Sequence, residues 1–293
     1  MSLAVVDAHV HLWDVDAVPL SWWRPDLGLP RAALLDDLLA VTRMAPSRVA
    51  RAIAVQAADT AEEAEWLAGT AAASPFLGAV VLQYDARTDA AAWAGMAQPV
   101  IDRTEAGDIR AEAGHIRARV GGIRLATPTG APDFGDVPGL ESLARGLGAS
   151  GRVLELLIRS EQLPAAADLA ARHPALAVVV CHLALNGEAP DAEWRAVLAA
   201  FARQPNARAK VSGLVRGGNG DDARVRTALA HAFEVLGPER LMFGSDWPVS
   251  ARFAGYGEVL ERTAAALPAL GADESQAFWA GTANGCYAVA PSD

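Results

Sequence analysis

The sequence has little cysteine, no excess of basic residues and no long uninterrupted apolar run. Its two cysteines, Cys181 and Cys286, match neither a disulfide framework nor a paired-cysteine metal site, so we expect a reducing, cytoplasmic location. The formal net charge of -10 argues against nucleic-acid binding, because proteins that bind phosphates cluster Lys and Arg. No apolar run approaches the roughly 20 residues of a membrane span, and no charged leader precedes one, so membrane insertion and export are disfavoured.

What is present is enough apolar material for one large core, since the 293 residues are 52% hydrophobic and 20% charged. Short segments rich in Val, Ile and Leu alternate with longer segments that have helical spacing. The predicted strands are Ala4–Val10, Arg51–Gln56, Leu77–Gln83, Val120–Ala126, Val153–Ile158, Ala177–Cys181, Ala207–Ser212 and Leu241–Gly244. The predicted helices are Ala61–Ala73, Glu161–Arg172, Ala192–Ala202, Asp222–Leu236 and Glu258–Ala266.

This alternation predicts the α/β class and one domain over residues 1–293, a single (β/α)₈ TIM barrel. Continuous hydrophobicity, as in Ala177–Cys181, is expected of parallel strands covered on both faces. A doubly wound sheet is the competing fold, but it usually has a Gly-rich turn after its first strand, where this sequence reads Asp-Ala-His-Val-His. Long loops follow strands one, three and four, at residues 14–30, 85–119 and 127–138, and such loops cover the active-site mouth of a barrel.

Polar residues stand at the carboxyl ends of several predicted strands, where barrel active sites form. His9 and His11 are one residue apart on the first strand, so both side chains point to one face and can converge on one ion. Asp246 follows the last strand, which barrel closure places beside the first. His182 follows the sixth strand and can bind a metal or polarise a carbonyl. The alternatives are a solvent-facing histidine pair, a capping or turn aspartate and a hydrogen-bonded core histidine.

A second group of polar and aromatic residues is predicted to contact the substrate. It consists of Gln56, Arg124, Arg159 and Lys210, in or just after apolar strands, and Trp22, Trp23 and Arg24 in the first long loop. Arg offers a planar donor fork for a carboxylate, and Lys offers a movable point charge. Each strand residue can equally pair with a structural carboxylate such as Asp7, Glu155 or Asp85, and the tryptophans can plug the barrel mouth.

The remaining histidines and the cysteine beside His182 are not assigned to the site. His115, His173 and His231 fall in helical, charged surroundings and are predicted to be solvated surface residues. Cys181 precedes His182 and is expected to point to the opposite face of its strand, which argues against a Cys/His nucleophile pair.

Five motifs together resemble those of a known family. They are Val6–Trp13, Leu154–Arg159, Cys181–Leu183, Ala209–Leu214 and Phe243–Pro248, and they span almost the whole chain in the family's order. The family is the amidohydrolase-2 branch of the amidohydrolase superfamily. The resemblance is to its sugar-lactonase group, which contains L-fuconolactonase, L-rhamnonolactonase and 2-pyrone-4,6-dicarboxylate lactonase. The motifs are specific for the group but not for the substrate.

The resemblance implies a hydrolase that opens a small cyclic ester, with a centre formed by His9, His11, His182 and Asp246. Asp246 is expected to act as general base toward water, and the histidines to bind a metal or polarise the carbonyl. At most one divalent ion, expected to be zinc, is implied, because Gly122–Leu125 offers no carboxylated-lysine bridge and no second histidine follows Ile158. Catalysis without a metal stays open.

Two other functions stay open alongside the lactonase. One is a metal-dependent decarboxylase of a small carboxylic acid, and the other is a catalytically silent barrel that binds a sugar acid. Related decarboxylases generally have a proline soon after the first His-x-His, whereas this chain continues Leu12-Trp13-Asp14, which favours the lactonase. The expected partner is a small-molecule substrate rather than nucleic acid or membrane, and a homo-oligomer is compatible with the sequence.

Overall fold

The computed structural model describes residues 4–85, 98–103, 119–217 and 221–289. Its barrel strands, in chain order, are β1 (Val5–Val10), β2 (Val49–Val55), β3 (Leu77–Tyr84), β4 (Val120–Ala126), β5 (Val153–Leu157), β6 (Val178–Val180), β7 (Ala207–Val211) and β8 (Leu241–Phe243). Each strand pairs in parallel with the next. All eight predicted strands are present, with ends that differ by at most two residues.

The barrel closes between β8 and β1 through backbone hydrogen bonds. The Asp246 amide donates to the His9 carbonyl oxygen at 2.8 Å, and the His11 amide donates to the Trp247 carbonyl oxygen at 2.7 Å. Gly244 permits this approach, because a Cβ at that position would lie 2.7 Å from the Cβ of His9. The predicted (β/α)₈ barrel is therefore confirmed, and the first and last strands are neighbours.

Helices cover the outside of the strands. They are Leu35–Arg43, Ala61–Ala72, residues 98–103, Leu140–Ser150, Leu163–Arg172, Ala192–Ala202, Asp221–Leu236, Tyr256–Ala266, Ala272–Gln276 and Thr282–Tyr287, with a π-helical turn at Ala277–Gly281. Thr60 and Asp191 begin two of them by accepting hydrogen bonds from the amides of Glu63 and Trp194. All five predicted helices are present. Among the described residues, no helix has the length and apolarity to cross a membrane.

Apolar side chains pack on both faces of the sheet. The outer cluster joins strands to helices through residues such as Leu38, Leu67, Leu169, Phe201 and Leu229. The inner cluster contains strand residues such as Val6, Ile53, Val179 and Met242, together with Ala280, Ala283 and Tyr287 from the C-terminal helical segment. Arg119, just before β4, donates through Nε to the Tyr287 carbonyl oxygen at 3.1 Å. The C-terminal segment thus lies at the amino-terminal end of the barrel, which leaves the carboxyl end for the site.

The loop after β1 is fixed over the carboxyl end. Trp13–Asp14 pairs with Ala32–Ala33 in a short antiparallel ribbon, and the Trp13 indole donates to the Pro30 carbonyl oxygen at 2.9 Å. The predicted long loop after β3 lies largely outside the described residues, as does His115.

Candidate active site

The four residues assigned to the centre meet at the carboxyl end of the barrel. Oδ1 of Asp246 lies 3.7 Å from Nε2 of His9, 3.8 Å from Nε2 of His11 and 4.0 Å from Nε2 of His182. The Nε2 atoms of His9 and His11 are 3.2 Å apart, and all four side chains are buried. The structure therefore brings together the residues that the sequence placed in one centre, and their catalytic and ligand roles stay predictions.

Two of these residues have left-handed backbone conformations that turn the chain at a strand end. His182 has a φ of 54° and Asp246 has a φ of 60°. Such conformations cost about 1–3 kcal/mol each in non-glycine residues, although Asp and His tolerate them better than most. The Ser250 amide donates to the Asp246 carbonyl oxygen at 2.8 Å, and the Leu185 amide donates to that of His182 at 3.0 Å. Local hydrogen bonds thus hold both turns in place.

Asp7 fixes β1 against β8 from beneath the centre. Its Oδ1 accepts hydrogen bonds from the amides of Ser245 at 2.9 Å and His9 at 3.1 Å, and its Oδ2 accepts from the Tyr256 hydroxyl at 2.9 Å. Burial raises the pKa of Asp7, and these hydrogen bonds oppose the rise. Asp7 is therefore a structural carboxylate, although its donors are two amides and a tyrosine in place of a strand cation, and it positions the backbone on either side of His9 and Asp246.

A chain of hydrogen bonds assigns the ring protons of His9 and His11. Nδ1 of His11 lies 2.7 Å from the Val55 carbonyl oxygen, which can only accept, so this Nδ1 carries the proton. Nζ of Lys210 lies 2.6 Å from Oε1 of Glu155, in an ion pair, and 3.3 Å from Nδ1 of His9. Because an ammonium can only donate, His9 accepts at Nδ1 and carries its proton on Nε2. That proton faces the free lone pair on Nε2 of His11.

Burial sets the charges of the centre. It lowers the pKa of His9 and His11 well below their usual range, and it lowers the pKa of His182 to about 3, so all three rings are neutral at pH 7. Nδ1 of His182 is held 2.8 Å from the Ser212 hydroxyl. Burial also raises the pKa of Asp246 to about 7, against the opposing charges of Arg216 and Arg124. A carboxyl group that titrates near neutral pH is suited to take and return a proton.

The donor set fits one divalent metal ion. Ligand atoms of His9, His182 and Asp246 all lie within 4.8 Å of one another, and Nε2 of His11 adjoins that of His9. Imidazoles with a carboxylate form typical zinc sites, and partners such as Val55 and Ser212 are those that orient metal-binding rings. His9 is the exception, because its Nε2 must lose the proton before it can bind a metal.

A cavity of about 450 Å³ opens above the centre, within the range of small-molecule sites. Its lining includes His11, His182 and Asp246, two tryptophans, Trp13 and Trp22, and three arginines, Arg124, Arg216 and Arg252. The Trp22 indole donates to the Ala57 carbonyl oxygen at 2.9 Å, which fixes the ring in the wall. The cavity can therefore hold a small ring against the centre.

Two of the seven predicted substrate contacts, Trp22 and Arg124, line this cavity. Gln56 and Lys210 are instead buried outside the lining. The Gln56 amide nitrogen donates to the Thr60 carbonyl oxygen at 2.9 Å, and Lys210 is paired with Glu155. For Lys210, the structural pairing that the sequence left open is therefore the one observed.

The other three predicted contacts also lie outside the cavity lining. The Arg24 side chain is exposed near Asp26, and that of Arg159 forms an ion pair with Glu161 at 2.6 Å. The Trp23 indole donates to the Pro30 carbonyl oxygen at 3.2 Å, which binds it to its own loop. Local pairing within the loops accounts for these positions.

The histidines outside the centre are partly buried, so the expectation that they are solvated is wrong for the two that the structure describes. The His173 side chain is 13% exposed and lies 2.7 Å from Oε2 of Glu141, and that of His231 is 16% exposed and lies 2.9 Å from the Arg195 carbonyl oxygen. Hydrogen bonding to neighbouring helices draws both rings inward. Neither residue lines the cavity.

Cys181 lies inside the barrel, where its thiol is 3.5 Å from Oε2 of Glu155. Burial raises the pKa of this thiol, so it is a poor nucleophile. The expectation that Cys181 and His182 point to opposite faces is wrong, because the left-handed backbone at His182 ends the strand alternation and both side chains lie within 4.8 Å of His9; the raised pKa is what argues against a nucleophilic thiol.

Arg216 and Arg252, the two other arginines of the cavity lining, were not predicted from the sequence, nor were polar lining residues such as Asp59, Gln83 and Asn186. The two arginines belong to the loops after β7 and β8, and loops after barrel strands surround the active site. Their position after strand ends was the available signal, but they lie five residues beyond Val211 and nine beyond Phe243, whereas the charged residues selected near these strands lie in the strand or within three residues of its end.

Comparison with known proteins places the chain in a family. The family model for amidohydrolases matches residues 6–287. An L-fucono-1,5-lactonase of Burkholderia multivorans is 30% identical, over 97% of this chain and 96% of that protein. An L-fucono-1,5-lactonase of Burkholderia ambifaria is 31% identical, over 86% of this chain and 82% of that protein.

The structural comparison agrees with the sequence comparison. A crystal structure of an amidohydrolase from Burkholderia multivorans with bound HEPES has a TM-score of 0.80 at 31% identity, over 98% of this chain and 100% of that one. A second crystal form, with bound zinc, has a TM-score of 0.77 at 30% identity, over the same shares of the two chains. Together with the barrel and its strand-end centre, these matches show that the chain belongs to the amidohydrolase family of hydrolases.

Proposed function

We propose that this hydrolase opens a small lactone, a cyclic ester of a sugar acid, by adding water to the ring ester. The observation that carries the proposal is the position of Asp246, with Oδ1 no more than 4.0 Å from three imidazole nitrogens beneath a cavity of about 450 Å³. The names of the two lactonase relatives support the ester as the bond that is cleaved. The proposal places the reaction in a reducing cytoplasm, in keeping with the free thiols of Cys181 and Cys286.

Asp246 acts as general base and then as general acid. As a carboxylate it takes a proton from water while the water oxygen forms a bond to the lactone carbonyl carbon. When the tetrahedral intermediate collapses, the bond from that carbon to the ring oxygen breaks, and Asp246 returns the proton to the leaving alkoxide. A pKa of about 7, raised by burial, suits both steps at neutral pH.

The oxyanion of the intermediate needs donors that are already in place. His9 carries its proton on Nε2, since Lys210 occupies Nδ1, and donates to the oxyanion when this proton turns from Nε2 of His11 to the substrate. The Arg124 guanidinium lines the cavity and is held by hydrogen bonds from Nε to Gln83 and from Nη2 to the Gln56 carbonyl oxygen. These groups polarise the carbonyl in the metal-free form of the enzyme.

A divalent ion at the same centre would be held by His9, His11, His182 and Asp246. When bound, zinc supplies Lewis acidity toward the carbonyl oxygen and lowers the pKa of an adjacent water. The zinc-containing crystal form of the Burkholderia multivorans amidohydrolase supports zinc as the ion.

The test is turnover of a panel of aldonolactones, including L-fucono-1,5-lactone, followed with a pH indicator and corrected for spontaneous opening. Asp246→Asn is expected to lower kcat by about 10²-fold or more, because the amide cannot take a proton. Asp168→Asn, on an exposed helix position, is the matched control and is expected to keep full activity. Most of the activity surviving in Asp246→Asn, or release of carbon dioxide in place of ring opening, contradicts the proposal.

A further inference from the structure

Three consecutive residues after β6 have left-handed backbone conformations. The φ angles of His182, Leu183 and Ala184 are 54°, 53° and 56°. Residues with a Cβ seldom adopt this conformation, because the Cβ crowds the following carbonyl oxygen. The side chains of leucine and alanine have no polar group that could offset the strain with a local hydrogen bond. The turn at residues 182–184 therefore persists because contacts with the rest of the barrel favour it.

This turn directs the His182 ring into the centre. Nε2 of His182 lies 4.0 Å from Oδ1 of Asp246, and its Nδ1 lies 2.8 Å from the Ser212 hydroxyl. The ring also packs against the backbone of Gly213, where a Cβ would lie 2.8 Å from the same Nδ1. A right-handed conformation at His182 would swing its ring away from these contacts. The position of Nε2 thus depends on the turn.

Trp194 supplies the hydrogen bond that holds the middle of the turn. Its indole Nε1 donates to the Leu183 carbonyl oxygen at 2.8 Å, and both residues are buried. Among the described residues, no other group donates to that oxygen. The His182 carbonyl oxygen instead accepts a local bond from the Leu185 amide. The bond from Trp194 therefore ties the turn to a helix on the outside of the barrel.

Trp194 is itself fixed at the start of that helix, Ala192–Ala202. Asp191 begins the helix, and its side chain accepts a hydrogen bond from the Trp194 amide at 2.7 Å. On its other side, the indole meets the His231 ring in an edge-to-face contact, with the centroids 5.5 Å apart. An indole fixed in this way offers its N–H in one direction, as a group that positions a functional residue must.

We propose that Trp194 is a positioning residue for the centre: by holding the Leu183 carbonyl oxygen, its indole N–H stabilises the left-handed turn that places Nε2 of His182 beside Asp246. The inference rests on the proposed hydrolysis, in which His182 binds a metal or polarises the carbonyl. It names a residue outside the cavity lining on which that reaction depends. Trp194 acts through His182 and contacts no reacting group.

The test combines loss of the hydrogen bond with relief of the strain. Trp194→Phe removes the indole N–H but keeps an aromatic ring, and it is expected to lower kcat by about tenfold or more, because the turn loses the donor that favours it. Ala184→Gly removes the Cβ clash from the left-handed conformation, so in the double variant it is expected to restore kcat to within about threefold of wild type. Ala184→Gly alone is expected to keep kcat. A tryptophan that only fills space would not be rescued by a glycine in another segment.

Tyr84→Phe is the matched control. The Tyr84 hydroxyl donates to the Pro138 carbonyl oxygen at 2.6 Å, so it is another aromatic donor to a loop carbonyl, and it lies outside the cavity lining. This variant is expected to lose stability and to keep kcat. If Trp194→Phe does not fold, Asp191→Ala takes its place, since Asp191 is exposed and its loss loosens the turn of helix that carries Trp194. It is expected to lower kcat by about threefold, with the same rescue by Ala184→Gly.

An unchanged kcat, a loss that Ala184→Gly does not restore, or an equal loss in Tyr84→Phe overturns the positioning role and leaves the lactonase standing. If the wild-type enzyme hydrolyses no lactone, the lactonase falls, and crystal structures of the wild type and Trp194→Phe test the position of His182 directly. A distance between Nε2 of His182 and Oδ1 of Asp246 that increases by about 1 Å or more in the variant supports the positioning role. An unchanged distance overturns it.

Discussion

The buried ion pair of Lys210 and Glu155 is predicted to weaken metal binding at the centre. For His9 to bind zinc through Nε2, its ring proton must move to Nδ1, where it meets the Lys210 ammonium 3.3 Å away. Metal binding therefore costs the hydrogen bond between Lys210 and His9. The double variant Lys210→Met/Glu155→Gln removes this obstacle and keeps the charge balanced.

The magnitude follows from the hydrogen bond that is lost. A hydrogen bond that involves a charged group contributes about 1.5–3 kcal/mol, so zinc affinity is expected to rise by roughly ten- to a hundredfold in the double variant. Lys210→Met alone would leave the Glu155 carboxylate buried without its partner, at a cost of about 3–5 kcal/mol in folding free energy. The amide introduced by Glu155→Gln keeps an acceptor for the Tyr287 hydroxyl, which lies 2.6 Å from Oε1 of Glu155.

The assay is competition for zinc against a chromophoric chelator at pH 7, with folding checked by circular dichroism. Removal of the exposed ion pair, in Arg159→Gln/Glu161→Gln, is the matched control and is expected to leave zinc affinity unchanged. Unchanged affinity in the Lys210→Met/Glu155→Gln variant would refute the reasoning. Weaker affinity would show that Lys210 accepts a proton from His9, opposite to the direction assigned.

Three further predictions concern proton transfer and stability. In chelator-treated enzyme, kcat/KM should fall as the pH drops through about 7, because burial raises the pKa of Asp246 and only the carboxylate acts as base; a profile without this acid limb contradicts the assignment. Tyr256→Phe should lower the free energy of unfolding by about 1–3 kcal/mol, since Oδ2 of buried Asp7 loses its donor, and urea unfolding at an unchanged midpoint would contradict this. Hydrogen bonds from Arg172 and His173 lower the pKa of Glu141, so the stability they add is complete above 4.5 and is lost as the pH falls through the folded-state pKa. The melting temperatures of wild type and Glu141→Gln should therefore converge in acid, and a gap that does not depend on pH would count against it.

The architecture was open to prediction because its signals are local. A buried parallel strand such as Val178–Val180 needs apolar residues on both faces, so its sequence is distinctive without an alignment. Closure of the barrel is a property of the fold class, and it is what brought Asp246 to His9 and His11.

The residues that line the cavity were harder to predict, because the depth of a side chain within a barrel depends on the stagger of the strands. Lys210 lies opposite Met242 in the register of β7 and β8, and its side chain forms an ion pair with Glu155 inside the barrel. The sequence of an apolar strand does not indicate how deep in the barrel its polar residue lies. Arg216 and Arg252 line the cavity, and their guanidinium carbons lie 5.6 Å and 5.1 Å from the centroid of the Phe253 ring. Contacts between distant loops produce no periodic pattern in a sequence, so a single sequence does not predict them.

Lys210 is the only lysine in the sequence, and its side chain is fully buried. Reagents that acylate primary amines, such as N-hydroxysuccinimide esters, therefore have no lysine to attack on the folded barrel. Coupling to a resin or a fluorophore through amines is confined to the α-amino group. A second acylated site, detected by mass spectrometry, would mark molecules whose barrel had opened.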